Sequence, residues 1–171
     1  MHVHVELRYN AAVPVVAAML ADPEYGRARV EASGAIAHHV EVAGGPEGPF
    51  TVTTRRSMPT DQIPANFRAF VGTSVEVRQV EAWEEPQPDG RRGTVVVEIA
   101  GAPVRLTGIT TLEPDDDDHT VLTYDGDVKA GIPLFGAAIE EAAGRAVGAA
   151  LEAEQQAGNR WLTEHHHGTA A

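Results

Sequence analysis

Three polar residues are the candidates for chemistry in this sequence: His38, Arg56 and Tyr124. Each lies in an alternating apolar and polar segment and shares its face with the apolar residues, so its side chain is expected to point toward the core. Histidine and tyrosine can move protons, and arginine can hold a carboxylate or polarise a carbonyl. A mostly apolar pocket with a few convergent polar groups is the usual composition of a small-molecule site.

The same residues also have an ordinary structural interpretation. His38 and Tyr124 can be hydrogen-bonded core residues, and Arg56 can reach solvent from the end of its strand. No carboxylate is clearly placed beside His38 to set its tautomer, which counts against catalysis. We therefore favour a binding protein over an enzyme and assign no catalytic residue.

The other groups of acidic and histidine residues indicate no metal site. Residues 115–118 are four consecutive aspartates without the spacing of a calcium-binding EF-hand, and are typical of a solvated hairpin tip. Asp125 and Asp127 share a predicted strand face with Thr123 and Lys129, which favours an exposed face. Residues 165–167 are adjacent histidines near the chain end, without fixed geometry. We predict no metal and no cofactor.

Composition limits the class of protein. A chain of 171 residues predicts roughly one domain. Its 13 basic and 25 acidic side chains give a net charge of −12, which opposes binding to nucleic acid or anionic membranes. Cysteine is absent, and no apolar run reaches the roughly 18 residues of a membrane-spanning helix. We expect a cytoplasmic protein without nucleic-acid or integral-membrane partners, and leave a protein partner open.

Sequence periodicity predicts an α+β fold with its elements in a distinct order. A strand over 2–9 precedes two short helices, over 11–20 with Asn10 as its N-cap and over 23–31 with Asp22 as its N-cap. Short connections between the later strands predict antiparallel pairing, with a short helix within 58–72. The six later strands are predicted at 35–43, 49–57, 73–85, 93–100, 103–113 and 119–129.

A long C-terminal helix is predicted over 134–162 and carries an unusual apolar stripe. The stripe consists of Ile139, Ala143, Ala146, Ala150, Ala153, Ala157 and Trp161. Small side chains either let a helix approach a sheet closely or leave a space between them. A strongly curved sheet favours the space. The predicted domain covers residues 1–163, and residues 164–171 are predicted to form a mobile tail.

This order of elements, together with four short segments, resembles the START-like superfamily, also called SRPBCC or Bet v 1-like, whose fold is the helix grip. Within it the chain is most similar to an actinobacterial family of unknown function. The segments are 15–22 ahead of Tyr25, 67–72 running toward Trp83, 101–104 ahead of Gly108 and Leu112, and 126–136 followed by Ile139 and Glu140.

The resemblance implies a curved antiparallel sheet of about seven strands wrapped on the C-terminal helix, with a deep, mostly apolar cavity between them. Members bind lipids, sterols, polyketides or plant hormones; some are aromatases or cyclases, and others are co-chaperones. We accordingly expect a binding protein for a small hydrophobic ligand that is lipid-like, sterol-like or polyketide-like. The alternatives are an aromatase/cyclase-like enzyme and an interaction module with a vestigial pocket.

The expected pocket combines inward strand positions with the first turns of the long helix and an apolar lid around residues 63–71. Residues 131–136 are expected to form the opposite rim. The predicted ligand-binding residues are Ile36, His38, Val40, Phe50, Val52, Thr54, Arg56, Phe67, Phe70, Val97, Leu106, Leu122, Tyr124, Phe135, Ile139 and Ala143.

Overall fold

The predicted strands form a curved antiparallel sheet in which neighbouring strands pair in the order β1-β7-β6-β5-β4-β3-β2. The structure, a computed structural model, describes residues 1–61, 63 and 65–166, without the side chains of residues 66, 67, 70 and 166. The strands are β1 (His2–Tyr9), β2 (Ala37–Gly44), β3 (Phe50–Pro59), β4 (Ser74–Trp83), β5 (Arg91–Ile99), β6 (Val104–Asp116) and β7 (His119–Ala130). The predicted α+β class and sheet are confirmed.

Helices lie between β1 and β2, between β3 and β4, and after β7. They are α1 (Val13–Leu20), α2 (Pro23–Ala32), α3 (Ala65–Val71) and α4 (Gly136–His166). The long α4 lies against β1 and β7 at one edge of the sheet and contacts α2, while α2 covers β2 at the other edge. The main core therefore lies between the concave side of the sheet and this helical layer.

The caps of the two short helices differ from each other. Asp22 caps α2 as predicted, since its Oδ1 accepts a hydrogen bond of 2.7 Å from the backbone N–H of Glu24. The prediction for Asn10 is wrong. The N-cap of α1 is Ala12, which has no capping side chain, and Asn10 instead joins its backbone N–H to Asn159 of α4.

Side chains of β4 alternate regularly between the two faces of the sheet along the whole strand. Its sequence instead suggests that the inward apolar positions shift by one residue between Val77 and Val80. Its pairing with β3 and β5 proceeds without a register shift. The inward positions after Val77 are Gln79, Glu81 and Trp83, and all three are buried. The apparent shift thus reflects polar side chains on the inner face.

The buried face of α4 is rotated relative to the predicted stripe. Ala146 is exposed, whereas Leu151, Glu154 and Leu162 are buried. Helix α4 also extends through residue 166, three residues into the segment predicted to be a mobile tail, and residues 167–171 lie outside the described residues.

Two glycines bring α4 close to the sheet side of the core. A Cβ at Gly144 would lie 3.2 Å from Sδ of Met1, and one at Gly158 would lie 3.0 Å from the hydroxyl of Tyr25 and 3.2 Å from Cδ1 of Tyr9. Small side chains on α4 were expected either to let the helix approach the sheet or to leave a space, and both are observed. The helix approaches closely at these glycines, and a space remains between them.

No helix in the described part of the chain is long and apolar enough to cross a lipid bilayer.

Candidate functional site

A partly open cavity lies between the middle of α4 and the sheet. Its volume is about 60 Å³, measured as the space open to the centres of water molecules. Because one buried water needs roughly 10–15 Å³ on this scale, the cavity has room for only a few waters. It is smaller than the deep cavity that the resemblance implied, because α4 is held close to its neighbours at the glycines on either side. The apolar wall includes Val95, Val97, Leu106, Val147 and Leu151.

The other wall carries a buried polar cluster, formed by Arg29, Gln79, Glu81, Tyr124 and Glu154. Nη1 of Arg29 lies 3.1 Å from Oε1 of Glu81 and 3.0 Å from Oε1 of Glu154. Side chains on α2, β4, β7 and α4 meet here, so residues far apart in the sequence form one network. Arg29, Tyr124 and Glu154 also line the cavity.

Glu81 is the most buried carboxylate of this cluster, with 0% exposure. Its Oε1 accepts hydrogen bonds from the Gln79 amide and from the Tyr124 hydroxyl, the latter at 3.3 Å. Within the described residues its second oxygen, Oε2, has no hydrogen-bond partner. An unsatisfied buried carboxylate oxygen is costly in a stable core and is more typical of a functional site.

Burial changes the acid–base properties of the cluster. Burial of the Glu154 carboxyl group away from water raises its pKa, although the positive charge of Arg29 acts in the opposite direction. Burial also raises the pKa of Tyr124 well above its ordinary value. For Arg29, burial alone would lower the pKa, but Glu81 and then Glu154 raise it. Strongly shifted ionisable groups beside a cavity are characteristic of binding and catalytic sites.

Some of the predicted pocket residues lie at this cavity. Arg56, Val97, Leu106 and Tyr124 all line it. Each occupies an inward position on its strand, as the alternation indicated. Nη2 of Arg56 donates a hydrogen bond of 3.2 Å to Oε1 of Gln79, which connects Arg56 to the buried polar cluster.

The predicted residues on β2 face α2 and do not line the cavity, because β2 is the edge strand beneath that helix. Val40 lies against Gly26 of α2. His38 is partly buried, and its Nε2 lies 3.6 Å from a carboxylate oxygen of Glu31, a partner that the sequence did not indicate. The prediction that His38 and Val40 line the cavity is therefore not supported by the geometry.

The predicted residues at the far end of β3, together with Leu122 on β7, are buried core residues that do not line the cavity. Phe50 stacks on Trp83 with ring centroids 6.1 Å apart, and Cζ of Arg91 lies 5.1 Å from the centre of the Phe50 ring. The four core residues in this group are Phe50, Val52, Thr54 and Leu122.

The remaining predicted residues lie at the periphery. Ile36 precedes β2 and is 65% exposed, and Phe135 is 44% exposed, so neither lines the cavity. Ile139 and Ala143 pack against the core one to two turns before the cavity-lining part of α4. The side chains of Phe67 and Phe70 lie outside the described residues.

Sequence reasoning missed Arg29, Glu81 and Glu154, although their positions carried a signal. Glu154 lies four residues after Ala150 and three after Leu151, on the apolar face of α4. Glu81 lies two residues before Trp83 and therefore shares a strand face with it. Charged residues within apolar patterns were the available indication, and their mutual pairing depended on tertiary structure.

The described residues do not form a metal-binding site. Among the residues that the structure describes, no cluster of histidine, aspartate and glutamate side chains could hold a metal ion. His2 and His4 pair with Asp125 and Asp127 across the outer face of β1 and β7. The inner face presents carboxyl, guanidinium and phenol groups, which can bind and orient a polar organic group or transfer a proton.

The curved sheet, the long C-terminal helix and the intervening cavity define a START-like helix-grip domain, in agreement with known structures. A START superfamily protein from Mycobacterium smegmatis is 14% identical, with a TM-score of 0.56 over 94% of this chain and 98% of that chain. An aromatase/cyclase from Streptomyces sp. R1128 is 18% identical, with a TM-score of 0.56 over 95% of each chain. Norcoclaurine synthase from Thalictrum flavum is 16% identical, with a TM-score of 0.59 over 96% and 95% of the two chains. At these identities the similarity establishes the fold.

Within this class, the chain belongs to the family described as protein of unknown function DUF2505, whose profile matches residues 4–162. The prediction of a family of unknown function with the helix-grip fold is thus confirmed. No curated protein is similar enough in sequence to match this chain.

Proposed function

We propose that this protein binds a small organic molecule in the cavity between the sheet and α4. The apolar part of the molecule would lie against Val97, Leu106 and Leu151, and its polar end would meet the buried polar cluster. The observation that carries the proposal is the convergence of charged and polar side chains, among them Arg29, Tyr124 and Glu154, on a cavity that also has an apolar wall. A fold built only for stability gains little from burying such groups, whose desolvation is costly.

The cavity size limits the ligand. Burial of apolar surface would contribute about 25 cal/mol per Å² to affinity. A molecule as large as a sterol requires outward movement of α4, whereas a compact molecule requires less. We therefore propose a small ligand with an apolar body and one polar end, and we propose the cytoplasm as its setting.

A pair of variants on α4 tests whether the cavity binds. Ala150 lines the cavity, so Ala150→Phe should fill it; Ala146 is exposed, so Ala146→Phe should leave it open. Hexanoate and hexanamide serve as six-carbon probes. Amide resonances of Val97 and Leu106 should shift on titration in wild type and in Ala146→Phe, and remain unchanged in Ala150→Phe. Absence of shifts with both probes in wild type, or equal shifts in the two variants, would contradict the proposal.

An enzyme is a second candidate because of two contacts of one hydroxyl group. The Tyr124 hydroxyl lies 3.3 Å from Glu81 and 3.4 Å from Glu154, so a proton donor is held at the cavity wall. Such a donor can protonate a bound carbonyl or carbanion. An extract of host metabolites incubated with wild type would then show a mass conversion that Tyr124→Phe abolishes. A pure binding protein gives no conversion with either.

A further inference from the structure

Arg56 is a cavity-lining cation with few internal partners. Its guanidinium carries five N–H donors, and one of them is used on the neutral amide oxygen of Gln79, at 3.2 Å. Within the described residues no carboxylate forms an ion pair with it, since Glu81 and Glu154 both pair with Arg29. Most of its hydrogen-bonding capacity therefore has no internal partner in the described part of the chain.

The carboxylates of the cluster contact groups other than Arg56. The Tyr124 hydroxyl lies within 3.4 Å of carboxylate oxygens of both Glu81 and Glu154. Both carboxylates also contact Nη1 of Arg29, at 3.1 and 3.0 Å.

Arg56 is thus a cation on the cavity wall without a paired carboxylate in the described part of the chain. Its side chain is only partly buried, so water can hydrate the N–H groups that have no protein partner. A ligand carboxylate can replace this water and pair with the charge.

We propose that the polar end of the ligand is a carboxylate bound by Arg56, which makes the ligand a small apolar carboxylic acid. This assignment rests on the proposed function of the cavity as a binding site. A planar guanidinium can donate two parallel hydrogen bonds to a carboxylate, which combines charge pairing with fixed orientation. The hydrocarbon part would then extend along Val95, Val97 and Leu106, which line the same cavity.

The test compares probes that differ only in their polar end. Dissociation constants are measured by calorimetry at pH 7 for hexanoate, hexanamide and hexylamine. Wild type should bind hexanoate at least about tenfold more tightly than hexanamide, a preference equivalent to 1.4 kcal/mol. Arg56→Gln should reduce this ratio to about one, and Arg56→Lys should retain part of it because it keeps the charge.

The matched control is Arg55→Gln. Arg55 neighbours Arg56 on β3 but is exposed on the opposite face of the sheet, so its loss changes the net charge equally and should leave the hexanoate preference unchanged. Circular dichroism of each variant confirms that the fold is retained.

Each result has a distinct meaning. Equal affinity for hexanoate and hexanamide in wild type, or an unchanged ratio in Arg56→Gln, would overturn the carboxylate assignment and leave the cavity as a binding site. A preference for hexylamine would also overturn it, since the cavity would then carry negative charge. Failure of all three probes to bind would contradict both the assignment and the proposed function.

Discussion

The two arginines at the cavity wall should differ in how much their substitution lowers the stability of the protein. Arg29 is 5% exposed and contacts two carboxylates, whereas Arg56 has one hydrogen bond to a neutral amide. Removing one partner of a buried ion pair costs about 3–5 kcal/mol, and removing a single hydrogen bond costs about 1 kcal/mol. We expect Arg29→Gln to lower the free energy of unfolding by the larger amount and Arg56→Gln by the smaller, as measured by urea denaturation.

Exposed Arg27 provides the control on the same helix. It lies 3.7 Å from Glu24 with a side chain that is 48% exposed, so Arg27→Gln should change the free energy of unfolding by less than about 1 kcal/mol. Equal losses for Arg27→Gln and Arg29→Gln would contradict the importance of the buried polar cluster.

The raised pKa of Glu154 predicts that its contribution to stability decreases as the pH rises. Burial raises its pKa in the folded protein above the ordinary 4.5, so the folded state holds this proton more tightly than the unfolded state. The associated stability is complete below about pH 4.5 and is lost as the pH rises through the raised pKa. Glu154→Gln cannot ionise, so the difference in unfolding free energy, wild type minus variant, should fall with rising pH.

The comparison uses urea denaturation at a series of pH values above 4.5. Glu152 is exposed on the same helix, so Glu152→Gln is the matched control variant for the Glu154→Gln curve. A difference that rises with pH for Glu154→Gln would mean that Glu154 is stabilised as an anion.

At the residue scale, sequence reasoning could identify Arg56 and Tyr124 but not their partners. Both share a strand face with apolar residues, which alternation alone indicates. Arg29, Glu81 and Glu154 belong to residue types that are almost never fully buried unless paired. Their pairing joins α2, β4 and α4, which a single sequence does not place together.

At the scale of elements, the approach of α4 depends on where its glycines lie. A Cβ at Gly158 would press on Tyr9 and Tyr25, whereas one at Gly148 would meet nothing within 4 Å. Gly158→Ala should lower the free energy of unfolding by about 1–3 kcal/mol through overpacking. Gly148→Ala should raise it by up to about 1 kcal/mol, because alanine favours a helix more than glycine does.

Thermal and urea denaturation of the two variants measures this contrast. Equal stabilisation by both substitutions would mean that α4 does not lie tightly on the tyrosines at Gly158.

Elements were easier to predict than the site because their patterns are local. Alternation located β1 at His2–Tyr9, and the Asp22-Pro23 pair located the start of α2. The N-cap of α1 was predicted at Asn10 and is Ala12, since the Asn10 backbone is held by Asn159 from the distant helix. The rotated face of α4 has the same origin, because tertiary contacts with Tyr9 and Tyr25 select it.

At the scale of the whole molecule, the fold alone does not select a function. The solved relatives include an aromatase/cyclase and norcoclaurine synthase, with identities of 18% and 16%. Proteins with this fold therefore carry out different chemistry. The resemblance predicted the fold correctly, while the size and polarity of this cavity depend on side chains such as Arg29 and Glu154.

Occupancy of the cavity is the central claim, and native mass spectrometry of protein purified from its own host tests it most directly. Wild type and Ala150→Phe are compared, and their organic extracts are analysed. We predict about one small molecule per chain in wild type and none in the filled-cavity variant. Wild type without a bound molecule, or the same molecule retained by Ala150→Phe, would contradict binding at this cavity.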